Sequence, residues 1–303
     1  MHNSADFAAF AAYLAEFLPA MQLRLKIPRA ARFCGGVDGT FSGIEAVVAA
    51  YDWKARWIEA DGSTIVSQDW ASTKLSLARL RRRLRQAAFD PAATNDDFLA
   101  AAGAVLAWGG DRNAAHGAMK FLRDRAAEND LKSYLLQATD ALRLDRGEPT
   151  KLGVVREMNS MLSKVHALLA DDGLPIYDSR VAFSIAMLAE RYGRVKGLNA
   201  LPEILRFPTF DAKRHVAAAI AYPLGEKRIY YTAANRHAEW SRATWTLGRL
   251  IRQVLGDNPK LLAAEGDLLA RCHAFEAALF MLGYDARCLF DDERSALSMQ
   301  PCS

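Results

Sequence analysis

Apolar residues recur at every third or fourth position along most of this 303-residue chain, whereas stretches that alternate between apolar and polar residues are few. Ala, Leu and Arg, which favour helices, are abundant. This periodicity predicts an all-α protein. The best candidate for a strand is EKRIYYT at 226–232.

The predicted helices fall into three regions. The clearest break is DPAATNDD at 90–97, which combines a proline with small polar residues. We expect an N-terminal region (1–96), a central region (97–198) and a C-terminal region (199–303), with the two outer regions forming one of two helical lobes around a cleft. Helices are predicted over 5–19, 42–58, 72–88, about 97–108, 112–127 and 129–143, twice within 151–170, from 178 to about 192, and over 238–255 and 260–283.

The glycine-rich stretch CGGVDGTFSG at 34–43 lacks the lysine that a phosphate-binding loop requires. We therefore interpret it as a tight connection between two helices. The chain also has no GxxxxGK[ST], GxSxG or HExxH motif, and no GxGxxG after a strand. These absences argue against the enzyme classes that depend on those motifs.

The composition is that of a globular protein. Hydrophobic residues make up 51% and charged residues 24%, and no uninterrupted apolar run reaches the length of a membrane span. The four cysteines are far apart and the six histidines show no HxxxH or HxxEH pairing, so we expect no metal and no cofactor. Asp6 and Glu16 interrupt the apolar N-terminal stretch, which favours an amphipathic helix over a signal peptide. The widely spaced cysteines suit a reducing compartment, so we expect a cytoplasmic protein. The net charge of +4 permits a polyanionic partner.

Two neighbouring predicted helix starts carry a lysine and an aspartate. Ser160 or Ser163 is a candidate N-cap that would place Lys164 in the first turn of a helix, where a cation opposes the helix dipole and gains nothing structurally. The extended stretch LPIY at 174–177 then leads to Asp178, and it is long enough to return the chain to the level of Lys164. The pattern therefore predicts that an amine and a carboxylate meet across fourteen positions of sequence.

An amine that faces a carboxylate is one arrangement that cleaves an N-glycosidic bond. A neutral Lys164 would attack the anomeric carbon and form a Schiff base. Asp178 would stabilise the positive charge that develops on the sugar and relay protons.

The same helix starts are candidates for binding the phosphates of DNA. Free backbone N–H groups at a helix start attract anions, and Asn159, Ser160 and Ser163 add polar side chains there. Arg180 lies early in its predicted helix, where the dipole disfavours a cation, so a phosphate partner explains it better than packing does.

This part of the chain resembles the helix-hairpin-helix DNA glycosylases, in particular the bacterial oxoguanine-glycosylase-like branch. Ser163-Lys164-Val165 matches the position of the catalytic lysine, and IYDSRV at 176–181 matches that of the catalytic aspartate. VLAWGGDRN at 105–113 also looks like a segment of the bacterial proteins, and the clear resemblance covers about residues 100–190. Where the family's hairpin usually has Leu-Pro-Gly-Val-Gly, this chain has Asn159-Ser160-Met161-Leu162, without a glycine.

The resemblance implies a two-lobed helix-hairpin-helix fold with the hairpin-like core in 97–198. It implies a DNA glycosylase that flips a modified or damaged base out of the duplex and excises it, with lyase activity if the lysine is the nucleophile, in DNA repair or in defence against modified phage DNA. The expected partner is double-stranded DNA that contains such a base, which would make the protein nucleoid-associated when bound, with no membrane and no obligate protein partner. The implied residues are catalytic Lys164 and Asp178, DNA-binding Asn159, Ser160, Ser163, Arg180 and Arg112, and base-pocket Trp108, Tyr177 and Phe275.

Alternatives remain at each position. Asp178 alone is a good N-cap, Lys164 alone is typical of a surface lysine, and Tyr177 and Phe275 suit core packing. The arginine-rich stretch 79–85 is either the solvated face of an amphipathic helix or a DNA-contacting surface. The rival functions are a non-catalytic DNA-binding or interaction protein on a glycosylase-like scaffold, and a plain helical scaffold protein.

Overall fold

The computed structural model describes residues 5–29, 34–111, 115–145, 149–209 and 236–290. Over these ranges the protein is mostly helical, in agreement with the predicted helical class, but it also has two small sheets. None of the helices within these ranges is long and apolar enough to cross a membrane. The helices are α1 (Ala5–Ala20), α2 (Gly43–Ala49), α3 (Trp70–Phe89), α4 (Asn95–Trp108), α5 (Gly117–Ala127), α6 (Leu131–Ala141), α7 (Ser160–Leu169), α8 (Ser179–Val195), α9 (Arg236–Asp257) and α10 (Leu268–Leu282). The strands are β1 (Gln22–Ile27), β2 (Val37–Ser42), β3 (Ala55–Ile58) and β4 (Thr64–Ser67).

Both sheets are two-stranded antiparallel hairpins, and the sequence analysis predicts neither of them. β1 pairs with β2, with Gln22 opposite Ser42, and β3 pairs with β4, with Ala55 opposite Ser67. The predicted helix over 42–58 is therefore wrong after Ala49, and the supposed connection at 34–43 contains a strand. β3 alternates, with Ala55 and Trp57 buried and the residues between and after them exposed, which is the period of a half-buried strand. The candidate strand at 226–232 lies outside the described residues.

Local capping fixes several helix starts. Asp69 and Ser72 form a reciprocal capping box at the start of α3, and Thr94 and Asp97 form another at the start of α4. The predicted pair of helices within 151–170 is corrected in part, because its first member is a short 3₁₀ helix over Pro149–Val154.

The core joins the two ends of the chain to its centre. α1 packs against α9, and α10 packs against α2, α8 and α9, which explains why α10 is apolar around most of its circumference. α7 lies against α3, α4 and α6. Helices from early, middle and late parts of the sequence therefore surround the segment that carries Lys164 and Asp178.

Candidate active site

The cap of α7 is Asn159. Its Oδ1 accepts hydrogen bonds from the backbone N–H groups of Met161 at 2.9 Å and Leu162 at 3.0 Å. The expectation that Ser160 or Ser163 caps this helix is therefore wrong, and Lys164 lies in the second turn rather than the first. Since the cap side chain already occupies two of the free N–H groups, the helix start has fewer donors left for a phosphate than predicted.

Ser163 holds the returning chain beside α7. Its buried hydroxyl accepts a hydrogen bond from Tyr177 N at 3.2 Å, and it lies within donating distance of the carbonyl oxygens of Ser160 and Tyr177. Residues 163 and 177 are thus side by side, so the chain does return to the level of Lys164 as the sequence predicts. Ser163 is a structural link, with its hydroxyl turned to the backbone.

Gly173 shapes the turn that makes this return possible. Its φ is +85°, and a Cβ at this position would lie 2.7 Å from Sγ of Cys272 on α10. The adjacent Asp172 accepts a hydrogen bond from Leu144 N at 2.6 Å, which anchors the turn to the loop that follows α6. The path from α7 to Asp178 is therefore fixed on both sides.

Asp178 is the N-cap of α8. Its Oδ1 accepts from the backbone N–H groups of Arg180 at 2.9 Å and Val181 at 3.0 Å, and the residue is 8% exposed. The capping role is therefore present in the structure, and it uses one carboxylate oxygen. The negative charge of Asp178 also acts on Lys164, where it opposes the loss of the amine's proton.

Lys164 is a buried amine. The residue is 5% exposed, and its Nζ donates to the carbonyl oxygen of Ser160 at 2.9 Å. Burial lowers the pKa of Lys164 below its ordinary value of 10.5, and the positive charge of Arg180 lowers it further, while the negative charge of Asp178 opposes the shift. The net direction favours a neutral amine, the form that acts as a nucleophile.

Gly109 makes room for this amine. A Cβ at position 109 would lie 2.7 Å from Cδ of Lys164 and 2.9 Å from its Cε. The glycine belongs to the WGG sequence that the resemblance singles out, and the structure brings it into contact with Lys164. The neighbouring Trp108 is buried, and its indole Nε1 has no hydrogen-bond partner within the described part of the chain.

Glu276 is a further acidic residue of this site. It is buried on α10, where its Oε2 accepts from Ile176 N at 3.2 Å, two residues before Asp178. Burial raises the pKa of Glu276, with the charge of Asp178 acting in the same direction, which favours a neutral carboxyl that can donate a proton. The sequence signal for it is an acidic residue inside the apolar stretch AFEAALFML.

The other predicted base-pocket residues are core residues here. Tyr177 is fully buried, its hydroxyl donates to the carbonyl oxygen of Pro208 at 2.9 Å, and its ring meets Trp240 edge to face at 4.7 Å. Phe275 is also fully buried. Arg112, predicted to bind DNA, lies outside the described residues.

Two arginines of the stretch 79–85 point inward. The guanidinium of Arg81 donates to the carbonyl oxygen of Ala170, and that of Arg85 donates to the carbonyl oxygen of Leu169. These carbonyls are at the C-terminal end of α7, where a positive charge is favourable. Arg81 and Arg85 thus clamp the end of the helix that carries Lys164, whereas Arg82 is exposed.

The guanidinium of Arg180 lies in an aromatic box formed by Trp53, Phe280 and Tyr284. Its central carbon is 5.7 Å, 5.0 Å and 4.2 Å from the centroids of these rings, respectively. Trp53 and Tyr284 both stand nearly perpendicular to Phe280, at 87° and 89°. Sequence analysis missed this box because its members come from distant parts of the chain.

The site thus contains the buried amine of Lys164, the carboxyl groups of Asp178 and Glu276, and the guanidinium of Arg180, which packs against the aromatic box. Among the described residues, no group of three or more His, Cys, Asp or Glu side chains is placed to hold a metal ion. Comparison of the chain with protein-family models, with curated proteins and with solved structures finds no match. The functional argument therefore depends on the chemistry of the site.

Proposed function

We propose that the protein is a DNA glycosylase of the helix-hairpin-helix kind, which excises a modified or damaged base from duplex DNA. The observation that carries the proposal is the buried Lys164, whose pKa is lowered, beside the N-cap Asp178. A solvated surface lysine would have no such environment. Glu276 and Arg180 supply a proton donor and a phosphate-binding cation in the same place.

The chemistry begins with the neutral amine. Nζ of Lys164 attacks C1′ of the flipped nucleotide, and the electron pair of the N-glycosidic bond leaves with the base. Glu276, whose pKa is raised by burial, is the candidate donor of the proton that the departing base takes up. The negative charge of Asp178 stabilises the positive charge that develops on the sugar.

A covalent intermediate follows. The amine loses a proton, and the C1′–O4′ bond of the sugar opens, with O4′ taking up a proton. The product is a protonated Schiff base between Nζ and C1′. Water hydrolyses this species, or elimination of the 3′ phosphate gives lyase activity.

Borohydride trapping tests the proposal because it reduces such a Schiff base to a stable amine. Wild-type protein is incubated with duplex DNA that contains an abasic site, and with genomic DNAs that include heavily modified phage DNA, and the released bases are identified by mass spectrometry. The proposal predicts base release and a trapped adduct, and it predicts that Lys164→Ala abolishes the adduct. Lys196→Ala, which removes an exposed lysine, is the matched control and should trap normally.

The second candidate is a non-catalytic DNA-binding protein on the same scaffold. The observation that favours it is the hydrogen bond from Nζ of Lys164 to Ser160 O, which a purely structural lysine would also make. Tight binding of DNA with neither base release nor an adduct would support this candidate and contradict the glycosylase proposal.

A further inference from the structure

Arg180 is held in a way that is unusual for a half-buried cation. It contacts the three rings of the aromatic box, and within the described ranges no carboxylate forms an ion pair with its guanidinium. Contact with ring faces is a weaker and less directional hold than a bidentate bond to an anion. The guanidinium is thus available to an anion that comes within its reach.

We propose that the aromatic box is a subsite for a planar nucleobase, and that Arg180 fills it only while DNA is absent, leaving it for a backbone phosphate when the base enters. The inference rests on the proposed function, because it gives the flipped base a place beside Lys164 and Asp178. Beyond the proposed function, it specifies where the flipped base binds and that the base replaces the Arg180 side chain there.

The two occupants share the property that the aromatic box recognises, a flat group that stacks on rings. A guanidinium is flat and delocalised, and it stacks on aromatic faces as a nucleobase does. When Arg180 leaves, it exchanges ring contacts for charge-assisted hydrogen bonds to a phosphate, and the rings exchange a cation for a base. After the exchange, both the guanidinium of Arg180 and the three rings of the aromatic box therefore have a partner.

The backbone around Arg180 is fixed, so the side chain is the part that can move. The Asp178 cap holds Arg180 N, and the carbonyl of Arg180 lies against Gly283, where a Cβ would collide with it. Turning the side chain out of the box therefore leaves the start of α8 in place. Asp178, two residues earlier, keeps its position relative to Lys164 throughout.

Tyr284 adds a second observation that points to a ligand. Its hydroxyl oxygen is buried and has no hydrogen-bond partner within the described ranges. A buried polar group without a partner is costly, and the edge of a nucleobase carries both donors and acceptors that would satisfy it. The box therefore offers a stacking surface and one hydrogen-bonding group.

The test follows Trp53 by fluorine NMR of protein that contains 5-fluorotryptophan, with Trp53→Phe identifying its resonance. Two duplexes are used at saturation, which is measured by fluorescence anisotropy. The first has an adenine opposite a tetrahydrofuran abasic analogue, so that the base flips at low cost. The second has tetrahydrofuran at both positions and offers phosphates without a base.

We expect free Arg180→Ala to differ from free wild type at the Trp53 resonance. The base-free duplex should move the wild-type resonance to the Arg180→Ala position and leave the variant unchanged, whereas the adenine duplex should shift both proteins further. Arg82→Ala, which lacks an exposed arginine outside the box, should behave as wild type. Trp57 and Trp245, whose indoles donate to Ser76 Oγ and to the carbonyl oxygen of Arg143, serve as internal references.

Two results would overturn the inference. Identical Trp53 resonances in free wild type and Arg180→Ala would mean that the guanidinium does not occupy the box. Identical resonances with the two duplexes at saturation would mean that no base enters it. If base release is observed with either result, the proposed function stands and this inference alone fails, whereas failure to bind either duplex contradicts both.

Discussion

The helix that carries Lys164 and the helix turn that carries Arg180 are anchored in different ways. α7 is held at both ends, by the Asn159 cap and by the arginine clamp of Arg81 and Arg85, and the lysine itself is confined by Gly109. The first turn of α8 has an equally fixed backbone, because Asp178 caps it through Arg180 N. The guanidinium of Arg180, by contrast, contacts three aromatic rings and forms no ion pair with a carboxylate within the described ranges.

The difference indicates a division of roles. A nucleophile gains from being positioned before the substrate arrives, since misplacement by about 1 Å can cost ~100-fold in rate. A cation that binds phosphate gains from being free to exchange partners when the substrate arrives. We interpret α7 as the pre-positioned half of the site and the start of α8 as its adaptable half.

Among changes that leave the amine of Lys164 in place, removing the charge of Asp178 while keeping its cap is expected to have the largest effect. In Asp178→Asn the side-chain oxygen still caps α8, so the free energy of unfolding should change by less than ~0.5 kcal/mol. Base release should fall by ~100- to 1,000-fold, because the developing positive charge loses its partner. Single-turnover base release and urea unfolding measure the two effects.

Asp178→Ala separates the two roles of this residue further. It should lose activity to a similar extent and also lose ~1 kcal/mol of stability with the cap. Full turnover in Asp178→Asn would show that the residue is only a cap.

Displacing the Cδ and Cε atoms of Lys164 is expected to have the next largest effect on base release. Gly109→Ala places a methyl group against the flexible end of the lysine, so the side chain should shift and the fold should remain. We expect base release to fall by ~10- to 100-fold with less than ~1 kcal/mol of destabilisation. Gly256→Ala is the matched control, because a Cβ there meets no atom within 4 Å and the glycine lies in α9. Equal activity of the two variants would contradict the pre-positioning of Lys164.

The pH dependence should report the buried amine. Because burial lowers the pKa of Lys164, the rate of adduct formation should rise about tenfold per pH unit below that pKa and level off before pH 10.5. The folded state also releases this proton at a lower pH than the unfolded state does. The cost of burying Lys164 is therefore fully present below its folded pKa, and it decreases as pH rises from there to 10.5.

Lys164→Met provides the comparison for stability. Its advantage in free energy of unfolding over wild type should shrink as pH is raised from 7 toward 10, as measured by urea unfolding. A constant difference between the two proteins would show that the pKa of Lys164 is unshifted.

Loosening the far end of α7 should have the smallest effect. Arg81→Met removes a charged donor from the carbonyls that end α7, with an expected loss of ~1–2 kcal/mol and faster amide hydrogen exchange near residue 170. Arg82→Met, at an exposed neighbouring position, should change stability by less than ~0.5 kcal/mol. Similar exchange rates in the two variants would mean that the clamp does not hold α7.

The sequence was sufficient where the determinants are local. Asp178 before an apolar stretch predicts the capped start of α8, and the single glycine and single proline between residues 170 and 178 predict the return of the chain. The start of α7 was not predictable, because Asn159, Ser160 and Ser163 are all plausible caps. Which of them caps the helix depends on a tertiary contact: Tyr177 N donates a hydrogen bond to the hydroxyl of Ser163, so that this hydroxyl is occupied elsewhere.

Non-local contacts account for the remaining differences. Within the predicted helix 42–58, the short sequence ARWI at 55–58 fits a helix as well as a strand, and only the pairing of β3 with β4 decides it. Similarly, the arginine-rich stretch of α3 does not reveal which side chains face α7. The aromatic box joins Trp53 to residues more than two hundred positions away, so its assembly requires the folded chain.

The most direct test of the central claim is to locate the covalent bond. Wild-type protein is reduced with borohydride in the presence of an abasic duplex, the DNA and protein are digested, and the modified peptide is sequenced by mass spectrometry. Our account predicts a reduced deoxyribose fragment on Nζ of Lys164. An adduct on any other amine of the chain, or base release with no adduct at all, would contradict it.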